Sequence, residues 1–196
     1  MTNHFASISP KGIPRATAIG MTHHLITSAL AISGLLALNA AAQNANRMET
    51  PGDQSFATKA AQGGMAEVEL GRLATERATN NEVKQFGQRM IDDHTKANDQ
   101  LKSLASSKGM NLPTSLNAKD EATKNHLSTL SGPAFDRAYM EDMVSDHRTD
   151  ISEFEHEANH GSDPQIKNFA ETTLPTLREH IKLAEQTLAN VKRTGQ

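Results

Sequence analysis

Four long segments of this chain carry an apolar stripe at helical spacing, and each stripe holds one acid or imidazole. At about 100° per residue, Phe56, Ala60, Gly63, Leu70, Ala74 and Ala78 fall on one side of the first segment, with Glu67 in their midst. The second stripe is Val83, Phe86, Met90, Ala97, Leu101 and Leu104, centred on His94. The third is Met140, Met143, Val144, Ile151, Phe154 and Ala158, centred on His147. The fourth is Ile166, Phe169, Ala170, Leu177, Ala184 and Leu188, with His180 at its edge. A buried charge or imidazole is costly without a partner. Four of them on facing stripes are expected to partner one another or to share a metal ion.

Turn and cap residues divide the segments. Asp53 or Ser55 is expected to cap a helix reaching about Thr79, and Asn81 a second one that closes at Lys108-Gly109. A loop with Pro113 follows, then a short polar helix capped by Asn117. Ser131-Gly132-Pro133 breaks it, with Pro133 in the first turn of a helix that stops at Gly161. Asp163-Pro164 opens the last helix, to about Lys192, and Pro175 inside it is expected to kink it. Gly63-Gly64 reads as a close approach of two helices. The halves echo each other: Val83-Lys84-x-Phe86 matches Ile166-Lys167-x-Phe169, and His94-Thr95-Lys96 matches His180-Ile181-Lys182. Two helical hairpins joined by a short crossover helix make an all-α, ferritin-like four-helix bundle over residues 55–192, and no strand pattern competes.

The first 42 residues do not read as part of that fold. Leu25 to Leu38 is a mostly apolar run leading into Asn39-Ala40-Ala41-Ala42-Gln43, the pattern of a cleavable export signal. Its fourteen residues would rise about 21 Å as a helix, short of the roughly 30 Å needed to span a bilayer core. Met21 is an alternative start. Residues 43–54 then form a polar, flexible N-terminus, residues 193–196 a tail, and the product is expected in the periplasm or outside the cell.

Composition excludes several functions. Without cysteine there is no disulfide framework, thiol nucleophile or iron–sulfur ligand set. From residue 43 onward 18 Lys and Arg stand against 23 Asp and Glu, interspersed and with no basic stripe, so nucleic acid is not an expected partner. No span remains once the signal is cleaved, and protein partners and oligomeric state are left open.

Glu67 lies 13 residues before Asn80 and His94 lies 14 after it, so the two should face each other across the first hairpin. Around Ser162 the corresponding separations are 15 for His147 and 18 for His180. Glu67, His94, His147 and His180 are therefore candidate ligands of one divalent transition metal: zinc, iron, copper or nickel. A di-iron centre is not expected, because Ile91, Val144 and Leu177 occupy the positions where Glu-x-x-His would place carboxylates. Asp93, Asp146 and Glu179 precede the three histidines and are placed to orient ligands or to face solvent, and Thr173 is a candidate partner of His180. The leading reading is an architectural polar layer that fixes bundle register without metal, and the metal site is the alternative to it. Glu153, His156, Glu157 and His160 form a second cluster, on a face pointing to solvent, as does Glu69. No catalytic motif accompanies these residues.

A run of ordered motifs carries a family resemblance. They are Met65-Ala66-Glu67-Val68-Glu69-Leu70-Gly71, Val83-Lys84-x-Phe86, Met90-Ile91-x-Asp93-His94-Thr95, Leu112-Pro113, Leu130-Ser131-Gly132, Phe135-Asp136-x-x-Tyr139, Asp146-His147 and Leu174-Pro175-x-Leu177-x-x-His180. In these the chain resembles the ferritin-like domain of unknown function 4142, exported bacterial proteins often labelled outer-membrane proteins. The resemblance spans about Phe56 to Val191 and implies a helical bundle in the bacterial periplasm, with no established reaction. No β-barrel pattern supports the outer-membrane label. Two functions are compatible with these features: a non-enzymatic binding or stress-related structural protein, and a metal-binding bundle.

Overall fold

The computed structural model describes residues 51–194 and consists of five helices, with no strand among the described residues. They are α1 (Pro51–Arg77), α2 (Asn81–Lys108), α3 (Ala118–Ser128), α4 (Gly132–His160) and α5 (Pro164–Thr194). The segments read as an export signal, most of the polar N-terminus and the last two residues lie outside the described residues. No described helix is long and apolar enough to cross a membrane.

Local chemistry sets most of the boundaries. Asn80, rather than Asn81, caps α2, its side chain accepting from the Glu82 amide at 2.7 Å. Gly109 ends α2 with φ 74°, a left-handed conformation that glycine adopts without a Cβ penalty. Asn117 caps α3 through the Asp120 amide. Asp163 caps α5 by accepting from the Gln165 and Ile166 amides. Pro175 leaves α5 an uninterrupted helix. The proline is exposed, so the carbonyl it leaves unpaired, that of Glu171, lies on the solvent side.

α1 begins at Pro51, earlier than its sequence suggests, and Asp53 does not cap it. The Asp53 carboxylate is instead buried and accepts from the Ser162 and Asp163 amides in the α4–α5 turn. Asp136, in the first turns of α4, does the same at the other end of the molecule. It accepts from the Thr79 amide, the Thr79 hydroxyl and the Asn80 amide at 2.6–3.0 Å. Each hairpin turn is thus held by a buried carboxylate from the opposite hairpin.

α1 packs along α2 and α4 along α5, and the hairpins meet through α1 against α4 and α2 against α5. α3 crosses between them, touching α1 and α4. The backbones of α1 and α2 approach tightly at Gly71 and Gly87, where a Cβ on Gly71 would lie 2.7 Å from the Gly87 carbonyl. Gly64 faces the Asn98 side chain of α2, and Gly63 faces Asp150 of α4. The apolar interior is in two blocks. One is built around Leu70, Phe86, Met90, Phe135, Tyr139 and Met140, the other around Phe56, Leu101, Phe154, Ile166, Phe169 and Leu177. Glu67, His94, His147 and His180 occupy the level between them, near the midpoint of each long helix.

Candidate metal centre

Antiparallel helices of similar length bring their midpoints together, and three imidazoles converge there. One ring nitrogen from each of His94, His147 and His180 lies within 4.8 Å of the others. All three residues are buried; His180, expected at the edge of its stripe, is completely so. The rings stand 5.3–5.7 Å apart between centroids.

Their outer partners determine the protons. His147 Nδ1 lies 2.9 Å from the Met143 carbonyl, which can only accept, so Nδ1 carries the hydrogen and Nε2 presents a lone pair. His180 Nε2 lies 2.8 Å from the Asp93 carboxylate. Burial opposes ionisation of Asp93, but hydrogen bonds from His180 and Arg89 bring its carboxyl below the usual range. His180 therefore donates through Nε2, leaving a lone pair on Nδ1. The two lone pairs face each other across 3.2 Å. Burial, reinforced by the neighbouring imidazoles, depresses His147 to about 4 and pushes His94 well below the ordinary range. Burial likewise lowers His180, against the pull of Asp93. Three neutral imidazoles at neutral pH are a ligand set without an internal proton to bridge them.

The spacing of the His147–His180 pair suits a metal. Two imidazole nitrogens bound tetrahedrally at about 2.0–2.1 Å stand about 3.3 Å apart, against the observed 3.2 Å. His94 Nε2 is buried and has no hydrogen-bond partner among the described residues.

The other residues singled out from sequence fall into different places. Glu67 is buried, but its Oε1 lies 3.5 Å from His147 Nδ1, the nitrogen already turned to Met143. It stands outside the three-nitrogen cluster, with Oε2 unpartnered. Burial, then the charges of Asp150, Asp146, Asp142 and Asp120, push its carboxyl well up. Asp93 bridges His180 and Arg89, which also reaches Glu179. Asp146 turns away to Lys119 at 3.0 Å. The Thr173 hydroxyl donates to the Phe169 carbonyl, not to His180.

His156 and His160 are exposed and stacked at 4.6 Å. Glu157 is not on that solvent face: it is buried, because α1 covers it near Asp53. Asp53 and Asp136 are not legible from local spacing as interior acids, since their partners lie about fifty or more residues away. Only Asp136 carried a signal, as part of the Phe135-Asp136-x-x-Tyr139 motif.

The fold and this centre define an all-helical four-helix bundle with a buried histidine cluster. Residues 38–187 match the family described as Domain of unknown function (DUF4142), and the chain belongs to that family. No curated protein matches the chain. Among solved structures, a DUF305 fragment from Deinococcus radiodurans superposes with a TM-score of 0.65 at 17% identity, over 72% of this chain and 98% of that one. A DUF305 protein from Streptomyces coelicolor, named as a candidate secreted protein, gives 0.62 at 16% identity, over 72% and 92%. At these identities the likeness is one of fold.

Proposed function

We propose that this protein is an exported metal-binding bundle that holds one divalent transition-metal ion on His94, His147 and His180. The observation that carries this is the pair of lone pairs on His147 Nε2 and His180 Nδ1, 3.2 Å apart and fixed by Met143 and Asp93. Only a cation relieves such a contact, and burial disfavours a proton there. Neutral imidazoles suit zinc, copper, nickel or iron(II). A purely architectural layer would satisfy its own polar atoms, whereas Glu67 Oε2 and His94 Nε2 have no partner among the described residues.

Binding suits the centre better than turnover of an organic substrate. Apolar blocks cover it above and below, and the cavity bordering His94 is about 20 Å³, room for one small ion or water. The export pattern in residues 1–42 supports a location in the periplasm or outside the cell, and the secreted name of the Streptomyces coelicolor neighbour accords with it.

Calorimetric titration of chelator-stripped, untagged protein with Zn²⁺, Co²⁺, Ni²⁺ and Cu²⁺ tests the proposal. One equivalent should bind and raise Tm, since a ligand held only by the native state stabilises it. His94→Ala should abolish both effects. Absence of stabilisation by every ion overturns the reading and leaves the layer as architecture.

A further inference from the structure

Asp150 borders two cavities at once. The larger, about 170 Å³, lies between α1, α3 and α4 and is lined by residues that include Glu67, Lys119, Asp120, Asp146 and Asp150. The smaller is the 20 Å³ space that borders His94, and Asp150 forms part of its wall as well. Glu67 joins the larger cavity to the histidines a second time, through its 3.5 Å approach to His147.

We propose that the carboxylate-lined cavity is the path by which a divalent cation reaches the three-histidine centre, passing Asp150 to arrive at His94. This rests on the metal-binding reading above. The larger cavity has the volume of roughly five or six waters, enough for an ion with part of its hydration shell. The smaller holds only an ion that has shed it. Oxygen donors along the way bind transition metals more weakly than the imidazoles at the end, so the ion is drawn inward.

The charges in the cavity are unbalanced in the required sense. Lys59 pairs with Glu153 and Lys119 with Asp146, which leaves Asp120 and Asp150 without an ion-paired lysine, while Glu67, whose charged form burial disfavours, adds an oxygen donor. Glu67 is only 2% exposed, lines the cavity and has a free Oε2. Burial, then the charges of Asp146 and Glu153, push Asp150 up to about 7, as expected of carboxylates gathered without a counter-ion. A cleft lined by one sign of charge concentrates counter-ions. On the opposite flank, between α2 and α5, Arg89 lies over Asp93 and Glu179 and would repel an incoming cation.

Stopped-flow absorbance of Co²⁺ uptake by the stripped full-length protein tests this. Asp150→Asn and, separately, Asp120→Asn at the rim should each slow loading, about tenfold for Asp150→Asn. Both should still reach one Co²⁺ per chain, with the visible spectrum of the wild type. Raising ionic strength should slow the wild type more than either variant. Glu185→Gln, at an exposed pair with Arg148, should load at the wild-type rate. Wild-type loading rates in both cavity variants would overturn the path while leaving the centre intact. Failure of the wild type to take up any Co²⁺ would overturn the path together with the centre.

Discussion

His147 Nε2 and His180 Nδ1 face each other across 3.2 Å, each with its other ring nitrogen committed to a fixed acceptor. The contact joins the midpoints of α4 and α5, at the level between the two apolar blocks. Both rings are therefore held in the tautomer a metal needs, before any metal binds.

Removing an imidazole from this layer should cost stability. His147→Ala strips the Met143 carbonyl of a donor and empties a fully buried position, a loss on the order of 1–3 kcal/mol for a group orphaned in the interior. The rings of His94 and His147 stand 5.7 Å apart, so His94→Ala/His147→Ala should be non-additive by at least about 0.5 kcal/mol. Urea unfolding of the metal-free proteins measures this, and strictly additive losses would show that the rings act independently.

Asp93 acts on the centre through His180. Asp93→Ala frees His180 Nε2 to lose its fixed donor role, and metal affinity should fall about 10–100-fold. Glu179→Ala removes only an exposed partner of Arg89 and should leave affinity unchanged. Competition with a chromophoric chelator reads both, and equal affinities in wild type and Asp93→Ala would deny the carboxylate its role.

Glu157 should make stability fall as pH rises. Burial, then its hydrogen bond with Asp53 and the charge there, lift its carboxyl from 4.5 to about 7. The folded state holds that proton between those values while the unfolded chain releases it. The group's favourable contribution is complete below about pH 4.5 and lost as pH climbs through about 7. Glu157→Gln, neutral at every pH, should gain Tm relative to wild type at pH 8 compared with pH 5. A pH-independent difference between the two proteins would refute the shift.

Asp136 ties α4 to the α1–α2 turn. Asp136→Ala leaves two backbone amides and a hydroxyl without their acceptor and should cost about 2–3 kcal/mol, hydrogen bonds to a charged group being the stronger kind. His156→Ala/His160→Ala, on the exposed face, should change stability by no more than about 0.5 kcal/mol. Chemical denaturation ranks the two, and a larger loss from the histidine pair would mean those rings pack.

Helical period, caps and loop lengths are local, and the sequence by itself determined four long helices, their pairing into hairpins and the level of Glu67, His94, His147 and His180. Counting residues from the turns places those four side chains at one height, because antiparallel helices rise at the same rate. The tertiary structure decided which neighbour each side chain meets. Rotation of a helix about its axis depends on packing across the interface, through contacts such as Gly71 against Gly87. That rotation turned Asp93 onto His180 and Asp146 onto Lys119, although both immediately precede a buried histidine. It also set Glu67 beside the outer nitrogen of His147 and brought Asp53 and Asp136 to turns of the opposite hairpin. Sequence spacing within one helix carries no information about such cross-helix partners, since they lie on different helices, 27 or more residues apart in the chain, and are joined only when the helices pack.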